Sequence, residues 1–210
     1  MLNGTIFLAL RHWIGPVVVS AAVVLASPAL AQQAPATQAP AVTDVSPADH
    51  APGASEDTIK TTEVAARTVI QTHGAASWED GYAKILESLA KLHAAAQKVG
   101  LKEAARPQVA FTDTDDAGFK YDAMLPVDAA PDAKLSLGPD VALAQSPSGK
   151  AIKFQHRGAY DDIDSTYEAI TAYLDEKGLE ARNLFVEEYL NDAKDSTDMA
   201  LQVDIYVFLK

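Results

Sequence analysis

The same order of elements, one strand, one helix and two strands, is written twice in this sequence. In the first half "RTVIQTH" (67–73) has strand character and ends at Gly74, and Ser77-Trp78-Glu79-Asp80 supplies a start of the capping-box kind. Tyr82, Ile85, Leu86, Leu89, Leu92 and Val99 then recur at helical spacing, and Gly100-Leu101 closes the helix. In the second half "AIKFQH" (151–156) is the strand and Gly158 the turn; Ile163, Tyr167, Ile170 and Leu174 form the helix stripe, closed by Gly178-Leu179. Each helix is followed by two strand-like runs, "PQVAFTD" and "FKYDAMLPV" in one half, "LFVEEYLND" and "LQVDIYVFL" in the other. The expected fold is α+β: two pseudo-symmetric βαββ units with antiparallel sheets, one helix packed on each, around a central ligand cleft. The repeats span about 64–128 and 151–210, and the connection between them, 129–150, is broken by Pro131, Gly138-Pro139 and Pro147.

What precedes the repeats has a different character. Residues 1–31 carry one charge, Arg11, then an apolar run over 13–25 and Ala29-Leu30-Ala31, which is the order of a secretory signal peptide cleaved near Ala31. The run is short for a membrane span, so no stable span is expected in the mature protein. Residues 32–57 are rich in Ala, Pro, Gln, Ser and Thr, hold no aromatic residue, and have only Val42 and Val45 as larger aliphatics. Such a segment buries too little apolar area to offset its ordering entropy and reads as a disordered tether. A folded domain over 58–210, periplasmic or secreted, is the resulting expectation.

Charge and composition narrow the partners. With 17 Lys and Arg against 29 Asp and Glu the formal charge is −12, one unit more negative once Arg11 is removed. A surface of that sign repels phosphate backbones and anionic headgroups, so a small molecule, cationic or neutral, is the expected partner and nucleic acid is not. The absence of cysteine excludes disulfides, thiol catalysis and cysteine metal sites. The five histidines lack ligand spacing, no G-x-S-x-G elbow or glycine-rich phosphate loop occurs, and "DTDD" and "NDAKDSTD" do not follow the EF-hand order. No metal and no cofactor are expected, and no protein partner is identified.

Strand alternation nominates the cleft. In the last strand Leu201, Val203, Ile205, Val207 and Leu209 form a wholly aliphatic face for the helices, which leaves Asp204, Tyr206 and Phe208 on the other. In the strand before it, Leu184, Val186 and Leu190 form the aliphatic face, which sets Phe185, Glu187 and Tyr189 opposite. Glu188 then falls on the core side, where an unpaired carboxylate is costly, and is expected at a bulge, edge or strand end. Alternation thus favours Glu187 and Asp204 as cleft acids among Phe185, Tyr189, Tyr206 and Phe208, an arrangement that suits an apolar cation. A carboxylate beside aromatics also gains a raised pKa, as an acid or base working near neutral pH requires.

"HRGAYDDIDSTYEAITAYLDEKGLE", "EEYLND" and "DIYVFL" resemble the second half of the GyrI-like, or AraC-type effector-binding, domain family, and "THGAASWEDGYAKILESLAKL" is similar to its first half. The resemblance covers about 58–210. It implies two pseudo-symmetric βαββ units around a cleft for small, often lipophilic and cationic molecules. Some members carry helix-turn-helix domains, where this chain is expected to have an export signal and a tether; some stand-alone members hydrolyse electrophilic small molecules. The family's cleft acid is usually glutamate, for which Glu187, Glu188 and Asp204 remain the alternatives.

The leading expectation is an exported small-molecule-binding domain used in sequestration or sensing. A hydrolase is the alternative, with Glu187 activating water and Tyr189 or Tyr206 steadying the substrate. Haem or tetrapyrrole binding, suggested by the similar doubled architecture of SOUL-type proteins, and a protein-interaction module stand behind these. His73-Gly74 and His156-Arg157-Gly158 occupy matching corners, so a structural role is expected for both histidines. Arg157 is expected to pair with Asp161, Asp162 or Asp164.

Overall fold

A computed structural model describes residues 60–130 and 133–210. The signal-peptide and tether readings, 1–31 and 32–57, fall outside the described residues. Among the described residues eight strands and two helices follow in the order β1 (Lys60–Val64), β2 (Thr68–Ser77), α1 (Gly81–Val99), β3 (Gln108–Thr114), β4 (Gly118–Pro126), β5 (Ala142–Gln145), β6 (Gly149–Arg157), α2 (Ile163–Lys177), β7 (Ala181–Tyr189) and β8 (Gln202–Leu209). A single 3-10 turn, Tyr160–Asp162, leads into α2. The fold is α+β, and its eight strands form one antiparallel sheet in the order β1-β6-β8-β7-β3-β4-β2-β5.

That order forces the sheet to curl. β1 and β2 lie six strand intervals apart, which in a flat sheet is roughly 29 Å. Yet only Ala65, Ala66 and Arg67 connect them, and such a link reaches roughly 14 Å. The face away from the helices therefore turns in on itself and buries Val69, Ala110, Met124, Ala151, Val186 and Phe208 with no helix among the described residues over them. The outer face takes the helices: Ile85, Leu89 and Leu92 of α1 and Ile163, Ile170 and Leu174 of α2 share one core with Ile70, Val109, Leu125 and Ile152. Leu201, Val203, Ile205, Val207 and Leu209 join that core, as alternation predicts for the last strand.

Both helices stop as their sequences indicate. Gly100 and Gly178 adopt φ of 71° and 59°, and the following amides, of Leu101 and Leu179, donate to the carbonyls of Ala96 and Leu174 at 2.9 Å.

Three expectations are corrected. The first strand does not end at Gly74 but runs on to Ser77 along β4. Gly74 is instead a place of close approach, since a Cβ there would lie 2.3 Å from Cζ of Tyr121. His73 consequently sits within a strand, at no corner, with Nδ1 hydrogen-bonded to Asp122 at 2.5 Å. Second, the 129–150 connection contains β5, four residues paired to β2, and β1 pairs with β6 ahead of the first repeat; both are short edge strands with little alternation to announce them. Third, Arg157 pairs not with the start of α2 but with Asp204, at 2.8 Å, because its position in β6 faces inward beside β8.

Candidate functional site

The alternation of β7 runs in the opposite phase from the one its aliphatic residues suggest. Phe185, Glu187 and Tyr189 lie on the helix side, because Glu187 stands across from Ile205 and Val109, both of which belong to the helix-side core. Leu184 and Val186 join the inner-face cluster instead. In a curled sheet both faces bury apolar side chains, so aliphatic residues do not distinguish them. Glu187 and Asp204 are thus separated by the sheet, and the expected grouping divides into Phe185, Glu187 and Tyr189 on one side and Asp204, Tyr206 and Phe208 on the other.

On the inner side Asp204 is buried and accepts from Lys153 Nζ and Arg157 Nη2, each at 2.8 Å. Glu188 lies directly across from it, inward rather than against the helices. It accepts from Tyr206 Oη at 3.0 Å and Gln108 Nε2 at 3.2 Å. The irregularity in β7 falls earlier, between Ala181 and Phe185. These groups satisfy one another, and Phe208 is fully enclosed beside them.

On the helix side Glu187 is 0% exposed, and tyrosines converge on it. Tyr189, two residues further along β7, donates to Oε2 at 2.6 Å. Tyr167 on α2 donates to Oε1 at 2.8 Å, and Tyr160 on the 3-10 turn donates to Oε2 at 3.3 Å. Tyr82, at the start of α1, stacks on Tyr160 with centroids 4.3 Å apart and lies 6.3 Å from Tyr189. Phe185 meets Tyr167 edge-on at 5.9 Å.

Burial pushes the Glu187 carboxyl up to about 7 against the pull of the three tyrosine hydroxyls, and no basic side chain among the described residues acts on it. The phenols of Tyr160, Tyr167 and Tyr189 are raised well above their usual range, by burial first and then by the Glu187 charge, so they remain donors. The result is a carboxylate poised near neutrality inside an aromatic cage, able to face a cation or to exchange a proton.

His156 holds the cage in place. Its Nε2 donates to the Ala159 carbonyl at 2.9 Å, and Nδ1 meets Thr166 Oγ1 at 2.8 Å. Burial lowers its pKa, which favours the neutral ring with its proton on Nε2. It thereby ties the end of β6 to the turn bearing Tyr160 and the helix bearing Tyr167, in agreement with a structural role. Sequence reasoning placed Tyr82 and Tyr167 among helix core positions and gave Tyr160 no part. For Tyr167 a signal was present: a tyrosine on an otherwise aliphatic stripe calls for a buried partner for its hydroxyl, here Glu187.

The described residues contain no group of three or more His, Cys, Asp or Glu placed to hold a metal ion. No helix among them is long and apolar enough to cross a membrane.

Among solved structures the fold is similar to the C-terminal domain of EcmrR, with 14% identity and a TM-score of 0.61 over 72% of this chain and 96% of that one. EcmrR in its DNA complex aligns at 13% identity and a TM-score of 0.58 over 72% of this chain and 56% of that one. A hydrolase from Listeria innocua aligns at 11% identity and a TM-score of 0.55 over 73% and 92%. No curated protein sequence matches the chain. A family model, the GyrI-like small molecule binding domain, matches residues 58–210, and the chain belongs to that family.

Proposed function

We propose that the Glu187 cage binds an apolar small-molecule cation, and that the protein sequesters or senses such molecules after export, held by its tether. One observation carries the reading: among the described residues a fully buried carboxylate is held by tyrosine hydroxyls alone, with no basic side chain to balance it. A buried, unpaired negative charge costs several kcal/mol, on the order of magnitude found for buried ions. An apolar cation supplies the missing charge and lays its frame on the rings. Tyr160 is the half-buried member of the cage and stands on a single turn, so it is the side chain that moves aside to admit a ligand.

The architecture supports a cleft between pseudo-symmetric βαββ halves. The neighbouring strands β3-β4-β2 and β7-β8-β6 repeat one internal order, and each half contributes a helix tyrosine, Tyr82 and Tyr167. The 1–31 pattern supports export, which N-terminal sequencing of the protein from cell fractions would check; an intact Met1 in the cytoplasmic fraction would sink it.

Thermal denaturation with benzyltributylammonium and an uncharged hydrocarbon of the same shape tests the site. At 100 times its dissociation constant a ligand adds about 2.7 kcal/mol. The cation should raise Tm and the hydrocarbon should not; equal shifts, or none, would remove the proposal.

Glu187 and Tyr189 also support a second reading, hydrolysis of an electrophilic small molecule, because a carboxyl with a pKa of about 7 suits proton transfer. Tyr206 has no place in it, being on the inner face. Turnover of an ester or epoxide panel, abolished in Glu187→Gln, is the measurement; absence of turnover across the panel counts against it.

A further inference from the structure

We infer that the Tyr82 hydroxyl reads the ligand, and that the cation taken by this site carries a neutral acceptor oxygen, such as a carbonyl or ether, on its apolar frame. The inference rests on the cation-binding reading above. Tyr82 is 5% exposed, and its hydroxyl is buried with no hydrogen-bond partner among the described residues. Buried polar atoms in folded proteins are nearly always paired, so a solitary one beside a binding group calls for a partner. The other tyrosines of the cage spend their hydroxyls on Glu187. Tyr82 does not, because its ring is fixed face to face on Tyr160 at an interplanar angle of 24°.

The chemistry of the missing partner follows from what the cage already holds. Burial, and next the Glu187 charge, raise the Tyr82 phenol to about 12, so it is a donor at neutral pH. Both carboxylate oxygens already accept tyrosine protons. An alkylammonium or phosphonium centre has no lone pair to offer and leaves the Tyr82 hydroxyl as it is. An oxygen elsewhere on the same ligand satisfies it. The cation then fixes one end of the ligand at Glu187, and the oxygen fixes the other at the start of α1.

The test uses the full chain and calorimetric titration with benzyltributylammonium and its 2-, 3- and 4-acetylbenzyl counterparts, on wild type and Tyr82→Phe. At least one acetyl isomer should bind the wild type about tenfold more tightly than the parent, as one buried hydrogen bond allows. Tyr82→Phe, which keeps the ring, should erase that preference, so that the acetyl isomers and the parent bind the variant alike. Because the lost hydroxyl has no partner among the described residues, the Tm of Tyr82→Phe should equal or exceed that of wild type. Binding of the parent with no preference among the isomers overturns the Tyr82 inference and leaves the Glu187 reading standing. A preference that survives in Tyr82→Phe also overturns it, and binding of none of the four cations overturns both.

Discussion

Glu187 and Asp204 stand on neighbouring strands yet on opposite faces of the sheet, because Glu187 lies across from Ile205 while Asp204 lies across from Glu188. Two buried carboxylates one residue out of register thus have different surroundings. Asp204 is neutralised by Lys153 and Arg157; among the described residues Glu187 has only hydroxyl donors. The inner acid is part of the scaffold, and the helix-side acid is the group left with an unmet charge.

Removing the inner acid should therefore cost stability and spare binding. Asp204→Asn leaves Lys153 and Arg157 without their shared partner, but both are about one-third exposed, at 32% and 37%, and regain water. The expected loss is about 1–2 kcal/mol, below that for a fully enclosed pair. Urea denaturation measures the loss, and titration with benzyltributylammonium should return the wild-type dissociation constant. A variant of wild-type stability that no longer binds would reverse the assignment of the two faces.

Stability should depend on pH through Glu187. Its folded-state pKa of about 7 lies above the ordinary 4.5, so the folded state holds a proton that the unfolded chain releases between these values. The Glu187 contribution is most favourable below pH 4.5, falls as pH rises to about 7 and is level beyond, a total on the order of 3 kcal/mol. Glu187→Gln should lose this dependence and be more stable than wild type at pH 8. Denaturation curves at pH 5 and pH 8 for both proteins give the comparison; parallel pH dependences would mean that Glu187 is not the titrating group.

Ligand affinity should run the other way with pH. A cation prefers the ionised carboxylate, so the dissociation constant for benzyltributylammonium should be about tenfold weaker at pH 6 than at pH 8. Calorimetry near pH 7 should show proton release, as heats that vary with the buffer's ionisation enthalpy. A pH-independent constant would argue that the ligand does not meet Glu187.

Much of this was legible beforehand and some was not, for identifiable physical reasons. The helix stripes ending in Gly100 and Gly178 and the aliphatic face of β8 emerge from periodicity because each has one buried side and one consistent phase. β7 misleads because the curl buries both of its faces, and Leu184 and Val186 serve the inner one. Cross-strand register decides such a case, and one sequence does not contain it. Of the cage, alternation reaches only the β7 members, Phe185, Glu187 and Tyr189, because the others come from three further elements, and only the fold brings Tyr82 and Tyr160 together.

Gly74 makes a separate structural prediction. Its missing Cβ lets the Tyr121 ring lie across β2, where the Tyr121 hydroxyl donates to the Lys84 carbonyl at 2.8 Å and meets Ser88 at 2.8 Å. Gly74→Ala should displace that ring and cost about 1–3 kcal/mol, read by urea denaturation. An unchanged midpoint would show that the ring has room to move.

The most direct measurement is calorimetric titration of the full chain with benzyltributylammonium at pH 8, comparing wild type with Glu187→Gln. Gln keeps the size and an acceptor oxygen for the tyrosines but removes the charge. The account predicts measurable binding to the folded wild type and a loss of at least about tenfold in the variant, as expected for a charge-assisted contact in a dry site. Equal affinity in the two proteins would contradict it.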